Sequence, residues 1–248
     1  PAMGKTRLCV VLPHNDTATP VEQRMSMLGP LSEIHGDIAD TPLKNKDYDL
    51  DLANRFTDYH EVAHCMDKWY MPQATTMDSF ENDPEQFALN RHKAEMFGDV
   101  FALLMMAKDG RPDMDKYAEE RANIRLVRAA LRGPIIAKME PDFSPTRAAA
   151  YMYMIHDGIR AAGKEISQRG QAGMAKLSIE DIRALAHKIT EQNALSIDGA
   201  EHAVTFMMQQ QFDMSLWERL HKTIPYLTER YQLSLRLNED MNKAMHEI

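Results

Sequence analysis

The 248-residue sequence predicts a mainly α protein with a very small or vestigial β-sheet and a helical C-terminal lobe. Three observations predict it. Apolar residues recur at helical spacing over several long segments, only Arg7–Leu12 reads as a strand, and cap signals open three of the helices. The 44% hydrophobic content is enough for one large core or two small ones, which argues against disorder, and no internal repeat points to a solenoid.

In chain order, residues 7–12 (RLCVVL) are apolar, β-branched at Val10 and Val11, and stopped by Pro13. Tyr48–Lys68 carries Leu52, Phe56, Tyr59 and Ala63 at helical spacing, and Pro72 closes the segment. Residues 71–83 are polar and read as a loop. Asp83-Pro84 then supplies an N-cap with Pro at the first helical position, which predicts a second helix to about Lys108, broken by Gly110-Arg111-Pro112. An Arg-rich helix follows from Met114 to Leu131, ended by Gly133-Pro134. Ser144-Pro145 repeats the cap signal and predicts a helix through Tyr151, Tyr153 and His156 to about Ala162. Ser178-Ile-Glu-Asp181 starts another in the manner of a capping box, and helical spacing continues from Ala200 to the C-terminus, with a kink expected at Pro225. No linker divides the chain, so it reads as a single domain of two lobes, residues 1–110 and 111–248.

Composition excludes several classes of partner. The longest apolar run, Val100–Ala107, is far short of the ~20 residues of a membrane-spanning helix, and the mean hydropathy is −0.47. A net charge of −8 without a Lys/Arg block lacks the footprint of a nucleic-acid-binding protein. Cys9 and Cys65 are too few for a disulfide framework or a thiolate zinc site. Nothing after Pro1-Ala2-Met3 has the order of a signal peptide, which favours a cytoplasmic protein over a secreted or periplasmic one.

His60-Glu61-Val62-Ala63-His64 is an H-E-x-x-H string inside the first long helix, where residues four apart project side by side. Two imidazoles then face one point, as zinc requires, and Glu61, one position round the helix, reaches a water bound there and takes its proton. The rest of the sequence sorts the known variants of this pattern. A distal His or Asp ligand needs Gly at 67 and His or Asp at 70, where Asp67 and Tyr70 stand, and a downstream G-T-x-D string is absent. The variant that draws a Glu from a second helix, with an Asp four residues on, fits Glu95-Met-Phe-Gly-Asp99.

Through His60, Glu61, His64, Glu95 and Asp99 the sequence resembles the gluzincins, the thermolysin-like division of zinc metallopeptidases, over about residues 50–108. The resemblance implies a zincin-like pair of metal-binding helices and one Zn²⁺ per chain held by His60, His64 and Glu95. It implies Glu61 as general base and acid, and Asp99 as the partner that fixes the first histidine. The implied activity is hydrolysis of a peptide or protein substrate by a Glu-activated, metal-bound water. The alternative is a non-catalytic zincin-like module that keeps zinc for stability and binds a protein partner.

Two departures from the family pattern stand out: 30 residues separate His64 from Glu95, and only one strand is available to align a peptide. His92, one turn before Glu95, is a rival third ligand. Thermolysin-like enzymes draw an oxyanion donor from a downstream helix, and Tyr151, Tyr153 and His156 are candidates, with Tyr153 and His156 preferred because one turn separates them. Arg160, one turn further, is positioned to grip a substrate carboxylate. Cys65 points off the metal face and reads as a small buried hydrophobe, and the 19 Met residues read as core filling.

Overall fold

The computed structural model describes residues 50–74, 81–119, 121, 122, 125, 154–196 and 198–200. Among them the regular elements are helices: α1 (Leu50–Met66), α2 (Met71–Ala74), α3 (Pro84–Lys108), α4 (His156–Ala175) and α5 (Ile179–Asn193). Residues 114–119, 121, 122 and 125 are helical as well. The protein is mainly α, and no strand occurs among the described residues. The strand expected at 7–12, Tyr151, Tyr153 and the segment from 201 to the C-terminus lie outside them. No helix among the described residues is long and apolar enough to cross a membrane.

The helix starts follow from local chemistry. The Asp83 carboxylate accepts from the Gln86 backbone N–H at 2.9 Å and Pro84 needs no partner for a missing N–H, so α3 begins where the sequence places it. Ser178 and Asp181 form a reciprocal capping box at the head of α5. Two expectations are corrected. Met154 and Ile155 are not helical, so the helix containing His156 starts at His156 and runs past Ala162 to Ala175, with a kink at Gly170, whose φ is 63°. Residues 71–74 are a short helix rather than loop, because the buried Asp67 carboxylate accepts from the N–H groups of Trp69, Tyr70 and Met71 at 2.8 to 3.0 Å and caps the turn after α1.

Helix α3 is the centre of the packing. Its second half, from Met96 to Ala107, is buried on every side, as a nearly all-round apolar helix must be. Phe97, Phe101, Leu103 and Leu104 are fully buried there, each contributing roughly 1.5–3 kcal/mol of hydrophobic stabilisation. Helices α2, α4 and α5 pack on it. One core cluster joins Phe56 and Ala63 of α1 with Ile159 and Ile166 of α4 and Ile182 and Ala186 of α5, so residues on both sides of position 110 share it. The described residues from Asp51 to Ala200 belong to one compact unit. Polar ties reinforce the packing of α1 beside α3: the Tyr59 hydroxyl donates to Asp109, and the Arg111 guanidinium donates to Asp51. The Tyr70 hydroxyl donates to Glu191 of α5 at 2.7 Å, and the Trp69 ring stacks on His187 at 4.1 Å.

Candidate metal centre

His60 and His64 stand one turn apart on α1, and Glu95 and Asp99 one turn apart on α3, so the two helices present two pairs of side chains to each other. The His60 Nε2 lies 2.9 Å from the His64 Nε2 and 3.6 Å from the Glu95 Oε2. One donor atom from each of His60, His64 and Glu95 falls within 4.8 Å of the others, a group that can hold a metal ion. Two ligands held at ~2.0–2.1 Å around a tetrahedral ion lie about 3.3 Å apart, and the observed separations bracket that value. The donor set, two imidazole nitrogens and a carboxylate oxygen, also suits such an ion.

The other edge of His60 is held by Asp99. The His60 Nδ1–H donates to the Asp99 Oδ1 at 2.8 Å, which directs the Nε2 toward His64 and Glu95. Asp99 is fully buried and receives a second partner to which the sequence does not point: Arg125 donates its Nε to Oδ2 and its Nη2 to Oδ1, both at 2.7 Å. Gly98 supplies the floor. A Cβ there would lie 2.7 Å from the His60 Nδ1 and 2.8 Å from its Cε1, so the imidazole rests on bare backbone. Gly98→Ala is therefore expected to lower the melting temperature. Helix propensity alone would raise stability by ~1 kcal/mol, whereas the clash with a ring fixed at both edges costs ~1–3 kcal/mol. Thermal unfolding of the two proteins decides between them.

Charge follows the geometry. Burial opposes the His60 imidazolium, but its hydrogen bond to Asp99 and the charges of Asp99 and Glu95 prevail and raise its pKa from 6.5 to about 9. Burial and the neighbouring His60 charge push His64 down, so His64 is the neutral acceptor of the pair. Burial would raise the Glu95 carboxyl, yet the hydrogen bond and charge of His60, with His64 and Arg125, bring it to about 2. Burial would raise the Asp99 carboxyl too, but the charges and hydrogen bonds of Arg125 and His60 together hold it well below the carboxylate range. A single proton on the His60 Nε2 thus sits among the same three groups that a metal cation would share.

The remaining candidates separate cleanly. Glu61 is exposed on α1, outside the ligand group, and its charge acts on His64. His92 is buried and its Nε2 accepts from the Leu195 N–H at 3.2 Å, which ties α3 to the chain after α5 and leaves Glu95 as the third member of the group. Burial and the charge of His156 bring the His92 pKa down to about 4. His156, at the head of α4, is within electrostatic reach of His92 rather than in the ligand group, and its buried Nδ1 has no hydrogen-bond partner. Arg160 pairs with Glu119 at 3.3 Å and, with Asp157, Lys164 and Asn193, lines an open cavity of about 480 Å³. Cys65 is half-buried on α1 and stands outside the ligand group. No family model, curated protein or solved structure matches the chain.

Proposed function

We propose that the protein is a zinc-dependent metallopeptidase of the gluzincin type. The observation that carries this reading is the convergence of His60, His64 and Glu95, with His60 turned toward the other two by Asp99. His60, His64 and Glu95 would hold the zinc, which when bound supplies the Lewis acidity that polarises a scissile carbonyl and acidifies water. Glu61 is exposed while its neighbour His60 is buried, so its carboxylate remains open to solvent and to substrate. It takes the proton from the attacking water and passes it to the leaving amine. His156 is the described candidate for the group that steadies the oxyanion: burial lowers its pKa and so favours the neutral imidazole, and its buried Nδ1 has no hydrogen-bond partner.

The purified protein should bind about one zinc per chain, and His60→Ala should abolish this binding. The pH dependence has a definite sign. Zinc must displace the His60 proton, so apparent affinity should rise roughly tenfold per pH unit below about 9 and level off above it. Calorimetry in buffers of different ionisation enthalpy should record close to one proton released per zinc near neutral pH. Stoichiometry below a tenth of an equivalent, with His60→Ala indistinguishable from wild type, would remove the zinc assignment.

A further inference from the structure

The side chains that hold His60, directly or through Asp99, arrive from three parts of the chain, and only two of these are the paired helices α1 and α3. Arg125 comes from the helical residues that follow α3, is itself buried, and engages Asp99 side-on through two nitrogens. A carboxylate held only by an imidazole N–H is free to rotate about its own axis. The fork of a guanidinium fixes its plane. Here the Arg125 Nη2 and the His60 Nδ1 share Oδ1 while the Arg125 Nε takes Oδ2, so both carboxylate oxygens are engaged and Oδ1 is held in place for His60. On the far side, bare backbone at Gly98 closes the socket.

We infer that Arg125 is a positioning residue for the metal centre, acting through Asp99 to hold the His60 imidazole with its Nε2 aimed at His64 and Glu95. The inference rests on the reading of those three residues as metal ligands. Arg125 grips Asp99 with two hydrogen bonds and Asp99 grips His60 with one, so the carboxylate is the link through which the guanidinium orients the ring. Lysine is a poor substitute, because a point charge restores the attraction without the fork.

The test is a double-mutant cycle on the full chain, with zinc affinity measured by chelator competition and carried to its pH-independent limit. Arg125→Gln should weaken zinc ~10–100-fold, the usual loss when the partner of a ligating histidine is disturbed, and Arg125→Lys should fall between it and wild type. In the Asp99→Ala background, Arg125→Gln should cost no more than about twofold further, because the route to His60 is already cut. The visible spectrum of the cobalt-loaded protein should shift in Arg125→Gln. Additive losses in the two backgrounds, or an Arg125→Gln protein with wild-type zinc affinity and cobalt spectrum, would overturn the positioning role while leaving the ligand set intact. Wild-type protein that binds neither zinc nor cobalt would overturn the ligand set itself and this role with it. Should Arg125→Gln fail to fold, Arg125→Lys, which keeps the buried charge, decides the matter by the same two readouts.

Discussion

Replacing Glu61 by Gln is expected to leave zinc content unchanged and to lower peptide-bond hydrolysis by ~100-fold or more, the range over which a positioned general base contributes. Both halves of this expectation follow from where Glu61 stands. It lies outside the group formed by His60, His64 and Glu95, and it is exposed, so losing its charge removes no ligand and uncovers no buried partner. Its negative charge favours the protonated form of His64, so the substitution makes His64 more readily neutral, which suits metal binding. Gln keeps the volume and hydrogen-bonding capacity of Glu but not its basicity. Elemental analysis fixes the metal content, and new termini in a peptide library report cleavage whatever the preferred substrate. Equal cleavage by the two proteins would sink the mechanism. Absence of cleavage by either, with zinc bound and all four positions around it filled by protein atoms, would establish the non-catalytic module in its place.

The parts of this site legible in the sequence are those written within one or two turns of helix. His60 with His64 and Glu95 with Asp99 are each i, i+4 pairs, and the starts of α3 and α5 lie in the three or four residues around Asp83 and Ser178. The helix expected to run from Ser144-Pro145 through His156 is not continuous, since Met154 and Ile155 are not helical, and the cap signal itself lies outside the described residues. What was not legible depends on contacts between distant segments. Arg125 is 26 residues from Asp99 and belongs to a run containing Arg121, Arg128 and Arg132, where periodicity alone suggests a solvated basic face. Arg121 departs from that pattern too, being buried with its guanidinium 4.2 Å from the Phe56 ring centre. Gly98 gains its meaning only from the imidazole that rests on it, and His92 is distinguished from Glu95 only by the Leu195 N–H that it accepts from 103 residues away.

Asp99→Ala is expected to destabilise the fold by ~3–5 kcal/mol, because it removes a fully buried carboxylate that the buried Arg125 guanidinium holds through two hydrogen bonds. The wild-type residue is held far below the ordinary carboxylate range, chiefly by Arg125, so its contribution is fully present above the unfolded-chain value of ~3.9 and is lost only as pH falls well below it. Chemical denaturation at neutral pH should therefore show the full gap between the two proteins, and the gap should close in strong acid, where the wild-type carboxylate is protonated as well. Removing Arg125 at the same time, as Asp99→Ala with Arg125→Leu, should recover part of the loss, since a buried pair exchanged for apolar groups costs far less than a buried charge left alone. The same double variant should not recover zinc affinity, because the His60 Nδ1–H still lacks its acceptor. Stability regained without metal affinity would separate the two duties of Asp99, neutralising Arg125 and orienting His60. A neutral-pH gap below ~1 kcal/mol would mean that the Asp99 contact with Arg125 does not hold the fold.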